Sequence, residues 1–459
     1  MKKLVLYLIA LSLFTACSLD QKNQDEISGD NIINTTQKAY SVLSQAYINL
    51  PMEPSPYTML SEDIQPSYLI NNNASTKEYY NWRDVEIAKT ADRIWAQYYG
   101  SIAHLNALLA SEKYISNNST EWNYIKGNAL TLKAYIYFDL LQLFSKRYEP
   151  SSLGLIPKEV VEIQNNARLT QVESIAFIKT LLNQGIALME GTGSQTNYFI
   201  TIPAAENLKA QIALYTKDYG EAEKIAKNLV SRYPTLPNTE KEYAALWQTN
   251  LKKAVSETYW VYNYQQNPNA YLLFDKVKGD LFYINHFVSF DKQDIRYNAS
   301  QYFYTMSSLD GVNKDRALLG KYKTSITSNE ARNIVLSRNT ETYFILIESL
   351  IEQNKLNEAT QAFNMFLGSI NNPILEDGNS QNTLRLLMQS EKQKEFTGEK
   401  INFFDLKRWN LAIPRYLPDS NNRLSTIANT DFRWVWPIPD SEMRYNPNAI
   451  QNEGWLIIK

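Results

Sequence analysis

The stretch that decides the fold runs from Tyr343 to Ile370 and reads YFILIESLIEQNKLNEATQAFNMFLGSI. Its apolar residues recur at steps of three and four on both sides of a polar turn, a spacing that places them on one face of a helix. They are Tyr343, Leu346, Ile347, Leu350 and Ile351 before the turn and Leu356, Ala359, Phe363, Phe366, Leu367 and Ile370 after it. The pattern predicts a pair of helices within residues 338–370.

A second unit of the same kind lies near residues 204–232. Both units carry a Glu-Ala pair just inside the second helix, Glu221-Ala222 and Glu358-Ala359, where the small alanine allows the two helices to approach closely. The pattern resembles tetratricopeptide repeats, whose helix pairs stack on neighbours because they cannot bury their apolar faces alone. We therefore predict a mainly α fold, a tetratricopeptide-like helix-pair scaffold with long irregular loops and a few short strands.

The composition agrees with a helical chain and excludes several classes of function. Glycine contributes 15 of 459 residues, about half of the usual share of roughly 7%. The net charge of -2 gives no electrostatic signature of a nucleic-acid-binding protein. One cysteine and two histidines exclude an internal disulfide and a Cys/His metal site. We expect no metal and no cofactor, and the 31 tyrosines and 9 tryptophans point instead to contact surfaces.

The N-terminus predicts export and lipidation. Lys2 and Lys3 precede an apolar run that ends at Phe14, which is too short to span a membrane. Residues 1–16 are predicted to be a lipoprotein signal peptide, Cys17 the lipidated residue, 17–29 a polar tether and 30–459 a single domain. The alternative is an ordinary secretory signal with an incidental cysteine, since Phe14 stands where Leu, Val or Ile is more usual.

Two segments within 60–90 and 256–310 lack helical periodicity and mix aromatic with amide and charged residues. Residues 256–264 alternate in the manner of a strand, and the rest is predicted to be irregular. Sugar rings stack on aromatic side chains while their hydroxyls need polar partners, so such loops suit a glycan. The ligand-binding candidates are Tyr80, Trp82, Arg83, Tyr264, Tyr271, Tyr283 and Tyr302.

Catalysis has little support in the sequence. Glu391, Glu395 and Glu399 share one helix face, and a glycosidase needs two acids placed on either side of the scissile bond. Side chains on one face point the same way, so a solvated or internally paired charged face is the better interpretation. His104 and His286 are expected to be structural histidines.

Several motifs near the C-terminus, taken together, resemble those of the SusD/RagB family. They are Ser390 to Glu399, Phe404 to Trp409, Trp436 to Glu442, Asn446-Pro447 and Gln451 to Trp455. Arg338 to Ile345 is similar to the family's Arg-x-x-Glu-x-Tyr-Leu-Ile helix, and Trp95, Tyr99, Ile102 and Asn106 fit its Trp-containing helix. Lys400 and Asn402 stand where the family usually has Gly and Arg, and Asn364 is not followed by the usual basic residue, all at scaffold positions.

The resemblance implies a SusD-like outer-membrane lipoprotein of the Bacteroidota, lipid-anchored and exposed at the cell surface. Such proteins capture an oligosaccharide and pass it to a SusC-like TonB-dependent transporter, and they catalyse no reaction. The resemblance also places ligand contacts in loops before the Trp-containing helix and in the middle of the chain. Three alternatives stay open: a peptide-binding lipoprotein of the same architecture, a surface glycoside hydrolase and a purely structural lipoprotein.

Overall fold

The structure is a computed structural model that describes residues 33–115, 119–193, 196–247, 257–263, 274–275, 280–285, 288, 290–298, 303–305, 317–319, 321 and 333–456. The predicted signal peptide, Cys17 and the tether lie outside the described residues. His286, Tyr264, Tyr271 and Tyr302 also lie outside them.

The first half of the described chain is helical. Its helices are α1 (Thr36–Ile48), α2 (Ser55–Leu60), α3 (Ala74–Tyr80), α4 (Asp84–Ala110), α5 (Thr120–Phe144), α6 (Gln171–Met189), α7 (Ile202–Tyr215), α8 (Tyr219–Arg232) and α9 (Glu240–Ala245). Short polar residues begin most of them by accepting a backbone N–H with the side chain. At α6, Thr170 and Glu173 form a reciprocal capping box, which the Thr-x-x-Glu spacing encodes.

Apart from the first strand, which lies between α2 and α3, the strands alternate with helices in the second half. The strands are β1 (Ile64–Pro66), β2 (Thr258–Asn263), β3 (Phe274–Asp275), β4 (Asp280–Ile284), β5 (Phe303–Thr305), β6 (Ala317–Leu319), β7 (Asn333–Arg338), β8 (Ile413–Tyr416) and β9 (Arg423–Ile427). The helices are α10 (Ile295–Asn298), α11 (Asn339–Glu352), α12 (Leu356–Ser369), α13 (Gln381–Glu395), α14 (Ile401–Arg408) and α15 (Asp440–Tyr445). Short 3₁₀ helices occupy Tyr68–Asn72, Ser111–Tyr114 and Phe432–Trp434.

Both predicted helix pairs are confirmed, α7 with α8 and α11 with α12. Their turns share a backbone feature, because Lys217 and Asn354 both have a left-handed φ of about 60° (61° and 60°) two residues before the second helix. The two pairs also contact each other through α8 and α11. The mainly α prediction is therefore confirmed, and the repeats form one continuous scaffold.

The strands form small antiparallel sheets. β1, β4 and β3 form one sheet in the order β1-β4-β3, while β2 pairs with β7, β5 with β6 and β8 with β9. The strand predicted within 256–264 is confirmed as β2. The expectation that 60–90 is irregular is wrong for α3, which begins at an Asn73 cap that accepts the N–H of Thr76.

Close packing of α5 against α6 depends on two glycines. A Cβ on Gly127 would lie 2.8 Å from the carbonyl oxygen of Gly185, and a Cβ on Gly185 would lie 2.8 Å from the carbonyl oxygen of Gly127. These contacts are shorter than real Cβ atoms make, so the backbones meet where both side chains are absent. Among the helices of the described chain, none is long and apolar enough to cross a membrane.

Candidate functional site

The two insertions that the sequence marks as a ligand region meet at the β1–β4 ladder. Ile64 pairs with Ile284, Gln65 with Tyr283 and Pro66 with Phe282. The pairing continues beyond the ladder, because the side-chain amide of Asn285 donates to the carbonyl oxygen of Glu62 at 2.9 Å. Segments that lie more than two hundred residues apart in sequence are thereby joined side by side.

The β8–β9 hairpin holds the first insertion from the other side. Arg415 is fully buried, and its Nη2 donates to the carbonyl oxygen of Ser61 at 2.9 Å. Its guanidinium also lies over the Tyr80 ring, 4.6 Å from the centroid. Beyond the hairpin strand, the backbone N–H of Asp419 donates to the carbonyl oxygen of Pro66 at 3.0 Å. Long-range contacts therefore hold the first insertion at Ser61 and Tyr80 and hold the start of the loop after β1 at Pro66.

Tyr68 is the exposed aromatic residue that this framework presents. It begins the 3₁₀ helix Tyr68–Asn72, its side chain is 43% exposed, and its backbone N–H donates to Oδ2 of Asp419 at 2.7 Å. The neighbouring Leu69 and Ile70 are buried, whereas Asn71 and Asn72 are exposed. We call Tyr68, Asn71 and Asn72 the Tyr68 surface. It can offer a ring face to an apolar ligand surface and amide groups to hydroxyls.

A partly buried carboxylate lies at the base of the same loop. Burial raises the pKa of Glu62 to about 7, although the positive charges of Arg415 and Arg423 act in the opposite direction. Burial also raises the pKa of Tyr416 on the same hairpin, and the charge of Glu62 adds to this effect. Near neutral pH, Glu62 can therefore either donate or accept a hydrogen bond.

Three of the sequence-predicted ligand residues are buried, which corrects the expectation that they are exposed. Trp82 is 0% exposed, and its Nε1 donates to the carbonyl oxygen of Leu60 at 3.1 Å. Tyr80 lies under Arg415, and its hydroxyl accepts the N–H of Tyr416 at 3.3 Å. Tyr283 is 0% exposed on the central strand of its sheet. These side chains are buried and cannot stack on a ligand in this arrangement.

Of the four remaining ligand-binding candidates, the structure describes Arg83 but not the three tyrosines. Arg83 is exposed, with 69% of its side chain accessible, and its Nε lies 2.8 Å from Glu78. Tyr264, Tyr271 and Tyr302 lie outside the described residues. By chain position, Tyr264 directly follows β2, Tyr271 shortly precedes β3 and Tyr302 directly precedes β5.

Sequence reasoning missed Tyr68, Glu62 and Arg423. A signal for Tyr68 was present, because a Tyr followed by two apolar residues and three asparagines cannot bury all of its apolar side chains in one short turn. Glu62 and Arg423 gave no such signal, since their proximity depends on a hairpin that is remote in sequence.

The carboxylates considered for catalysis are internally paired. Glu395 and Glu399 are 1% and 4% exposed, and they contact Arg296, Arg338 and Lys321. Glu391 contacts Arg296 at 2.8 Å and Lys394 at 2.8 Å. The internally paired interpretation is confirmed, and the solvated alternative is wrong for Glu395 and Glu399. In the part of the chain that the structure describes, no group of three His, Cys, Asp or Glu side chains is placed to hold a metal ion.

Two protein-family models match this sequence, one in each part of the chain. One model, described as the SusD family, matches residues 248–455, and a second, described as "Starch-binding associating with outer membrane", matches residues 18–214. Among curated proteins, none matches this sequence.

Several solved structures share the fold. A SusD superfamily protein from Bacteroides thetaiotaomicron is 20% identical, with 91% of this chain and 99% of that chain covered and a TM-score of 0.75. A SusD-like carbohydrate binding protein from Bacteroides vulgatus is 18% identical, with 91% and 97% covered and a TM-score of 0.74. Surface glycan-binding protein A from Bacteroides fluxus is 16% identical, with 91% and 99% covered and a TM-score of 0.67. With the SusD family model on the C-terminal half, the starch-binding model on the N-terminal half and this shared fold, the chain belongs to the SusD/RagB family.

Proposed function

We propose that this protein captures an oligosaccharide at the cell surface and delivers it to a SusC-like TonB-dependent transporter in the outer membrane, without catalysing a reaction. The observation that carries the proposal is the Tyr68 surface, where an exposed ring lies beside two exposed amides on a loop whose start is held by Asp419. The names of the structural relatives, which include a carbohydrate binding protein and a surface glycan-binding protein, support the same class of ligand.

The ligand would lie across the meeting point of the two insertions. Tyr68 would stack on the apolar face of a sugar ring, and Asn71 and Asn72 would bind its hydroxyl groups. The hydrogen bonds to Asp419 at the start of the loop favour this role, because they reduce the conformational entropy that Tyr68 would lose on binding. Tyr264, Tyr271, Tyr302 and Arg83 stay in the proposal as further contacts from the same two insertions.

The attachment to the membrane would come from Cys17. A lipidated cysteine at the start of the mature chain, followed by the polar segment 18–29, would hold the domain close to the transporter, and several acyl chains give stable anchoring where one does not. Cys17→Ser should release the protein from the membrane fraction, and continued attachment of this variant would contradict lipidation. Co-purification of an outer-membrane barrel with the wild-type protein tests the transporter partner.

The direct test is calorimetry of the mature chain with a panel of soluble oligosaccharides, followed by two variants. Tyr68→Ala should weaken binding by about 1 to 3 kcal/mol, or about 5- to 150-fold, if ring stacking has the strength measured for nucleic-acid bases. Tyr445→Ala is the matched control, because Tyr445 is 73% exposed on α15, which contacts the Lys158 region instead. It should leave binding unchanged.

Three outcomes would decide against the proposal. If wild type and Tyr68→Ala bind an oligosaccharide with equal affinity, Tyr68 does not contact the ligand. Binding of peptides but of no oligosaccharide would support the peptide-binding alternative instead of glycan capture. Cleavage of any tested glycan would support the hydrolase alternative.

A further inference from the structure

We propose that a second binding site, for a sugar ring that carries a carboxylate, lies in the cleft where the C-terminal end of α5 meets residues 429–435 and 452–454. The cleft has a volume of about 600 Å³ and is lined by both aromatic and charged side chains. This volume falls within the range of small-molecule sites in proteins. The cleft shares none of its lining residues with the Tyr68 surface, so the inference is independent of the function proposed there.

The cations Arg147 and Lys407 line the cleft, and neither has a carboxylate partner among the described residues. Lys407 is 5% exposed, and its Nζ donates to the carbonyl oxygens of Gln142 and Ser145 at 2.5 and 2.8 Å. Arg147 donates from Nη1 to the carbonyl oxygen of Asn429 at 2.9 Å. These neutral carbonyls accept only some of the N–H donors of the two side chains, and they carry no full negative charge to pair with them beyond the partial charge at the helix end.

The protonation behaviour of both cations agrees with this shortage of negative charge. Burial lowers the pKa of Lys407 to about 7, and the nearby charge of Arg147 acts in the same direction. Burial also lowers the pKa of Arg147. An anion in the cleft would interact favourably with both groups at once.

Most other charges that line the cleft already have partners. Lys146 lies 3.0 Å from Glu453, and Asp431 lies 2.6 Å from Arg433. The remaining acid, Glu149, is exposed, so solvent screens its charge. The basic groups of the cleft without a carboxylate partner are therefore Arg147 and Lys407, and an anionic ligand would pair with Arg147 and favour the protonated form of Lys407.

The aromatic wall specifies a ring in addition to the anion. Phe432 is 39% exposed, and Tyr148 is partly exposed on the opposite segment. Gly454 makes the position of Phe432 possible, because a Cβ there would lie 2.5 Å from Cγ of the Phe432 ring. A carboxylate on a flat apolar ring face would satisfy both parts of the cleft, and a uronic acid has that chemistry.

Ligand-observed NMR titration of the mature chain tests the proposal with D-glucuronate, D-glucose and inorganic phosphate. Glucuronate should bind measurably more tightly than either of the others, because only it carries both the ring and the anion. Arg147→Gln should weaken glucuronate binding by about tenfold or more, the loss expected for one charge-assisted hydrogen bond. Lys146→Gln is the matched control, because Lys146 is adjacent in sequence, exposed and already paired, and its effect should stay below about threefold.

Other outcomes would overturn the proposal. Equal affinities for glucose and glucuronate would show that Arg147 and Lys407 do not bind the carboxylate. An affinity for phosphate as high as that for glucuronate would show that the sugar ring does not contribute to binding. Equal losses in Arg147→Gln and Lys146→Gln would indicate attraction by surface charge alone. The melting temperature of Arg147→Gln without ligand controls for misfolding, and Tyr68→Ala should retain glucuronate binding, which separates this site from the Tyr68 surface.

Discussion

Arg338 and Glu395 form a buried ion pair, with Nη1 of the arginine 2.7 Å from Oε1 of the glutamate and each side chain 1% exposed. Arg338 ends β7 where α11 begins, and Glu395 is the last residue of α13. Arg296 contacts the same glutamate at 3.1 Å, and Lys321 contacts the neighbouring Glu399 at 2.7 Å. Arg296 and Lys321 belong to the long insertion between the helix pairs. These ion pairs therefore attach the insertion to the C-terminal scaffold at Glu395 and Glu399.

Removing the charge of Arg338 should destabilise the fold strongly. Arg338→Met would leave Glu395 and Glu399 with one cation fewer in a buried site, and breaking a buried pair in this way costs about 3 to 5 kcal/mol. Urea unfolding of the mature chain measures the change.

The matched control for this variant is Arg83→Met. Arg83 also pairs with a glutamate, at 2.8 Å, but the two side chains are 69% and 42% exposed. Exposed pairs contribute about 0 to 1 kcal/mol. A loss below about 1 kcal/mol in Arg338→Met would show that the buried pair does not hold the insertion in place.

The same cluster predicts a loss of stability in acid. Burial alone would raise the pKa of Glu399, but Arg338 and Lys321 hold it below the ordinary value of 4.5. Because the folded state binds this proton less readily than the unfolded state, the stabilisation is complete above pH 4.5 and is lost as the pH falls below that value. Wild type should therefore be more stable than Glu399→Gln at pH 7, and the difference should shrink below pH 4.5.

Urea unfolding at pH 7, 5, 4 and 3.5 measures the difference in the free energy of unfolding between wild type and Glu399→Gln. Glu78→Gln, which removes an exposed carboxylate, should stay within about 1 kcal/mol of wild type at each pH. A difference between wild type and Glu399→Gln that stays constant or grows in acid would contradict the assigned direction of the shift.

The helical scaffold could be predicted because its determinants are local. The apolar spacing from Tyr343 to Ile370 and the Glu-Ala pairs lie within single units, and Thr170 and Glu173 encode a helix start within four residues. Such patterns depend on helix geometry alone. The structure therefore places helices where the sequence predicts them.

The candidate site was harder to predict because its exposure depends on remote residues. Trp82 lies in a polar and aromatic stretch, but Trp434 covers it at 4.8 Å between ring centroids, and Arg433 donates to its backbone carbonyl. Tyr80 is covered by Arg415 in the same way. Residue type in a loop indicates a contact surface, but only the tertiary arrangement decides which side of the loop faces solvent.

The burial of Trp82 leads to a prediction that separates support from contact. Trp82→Ala should cost about 3 to 5 kcal/mol, the range for removing a large aromatic side chain from a core. Tyr68→Ala removes an exposed ring from the same insertion and should change stability by no more than about 0.5 kcal/mol. Thermal and urea unfolding of both variants measures these changes in stability. Similar losses of stability in the two variants would mean that Trp82 is not part of the core.

Two glycine-to-alanine substitutions should change stability in opposite directions. At Gly185 the new Cβ would lie 2.8 Å from the carbonyl oxygen of Gly127 and 3.0 Å from the backbone nitrogen of Thr131. Because both contacts are backbone atoms of α5, the helices would have to move apart, and overpacking of this kind costs about 1 to 3 kcal/mol. Gly100 lies inside α4 with no atom within 4 Å of the added Cβ.

Alanine at Gly100 should therefore stabilise the fold by about 0.5 to 1 kcal/mol, since glycine loses more backbone freedom than alanine on entering a helix. The urea midpoint should fall for Gly185→Ala and rise for Gly100→Ala, with the slope unchanged in both. A rise in both midpoints would show that α5 and α6 have room for a side chain at their contact, and the close approach of these two helices would then not depend on glycine.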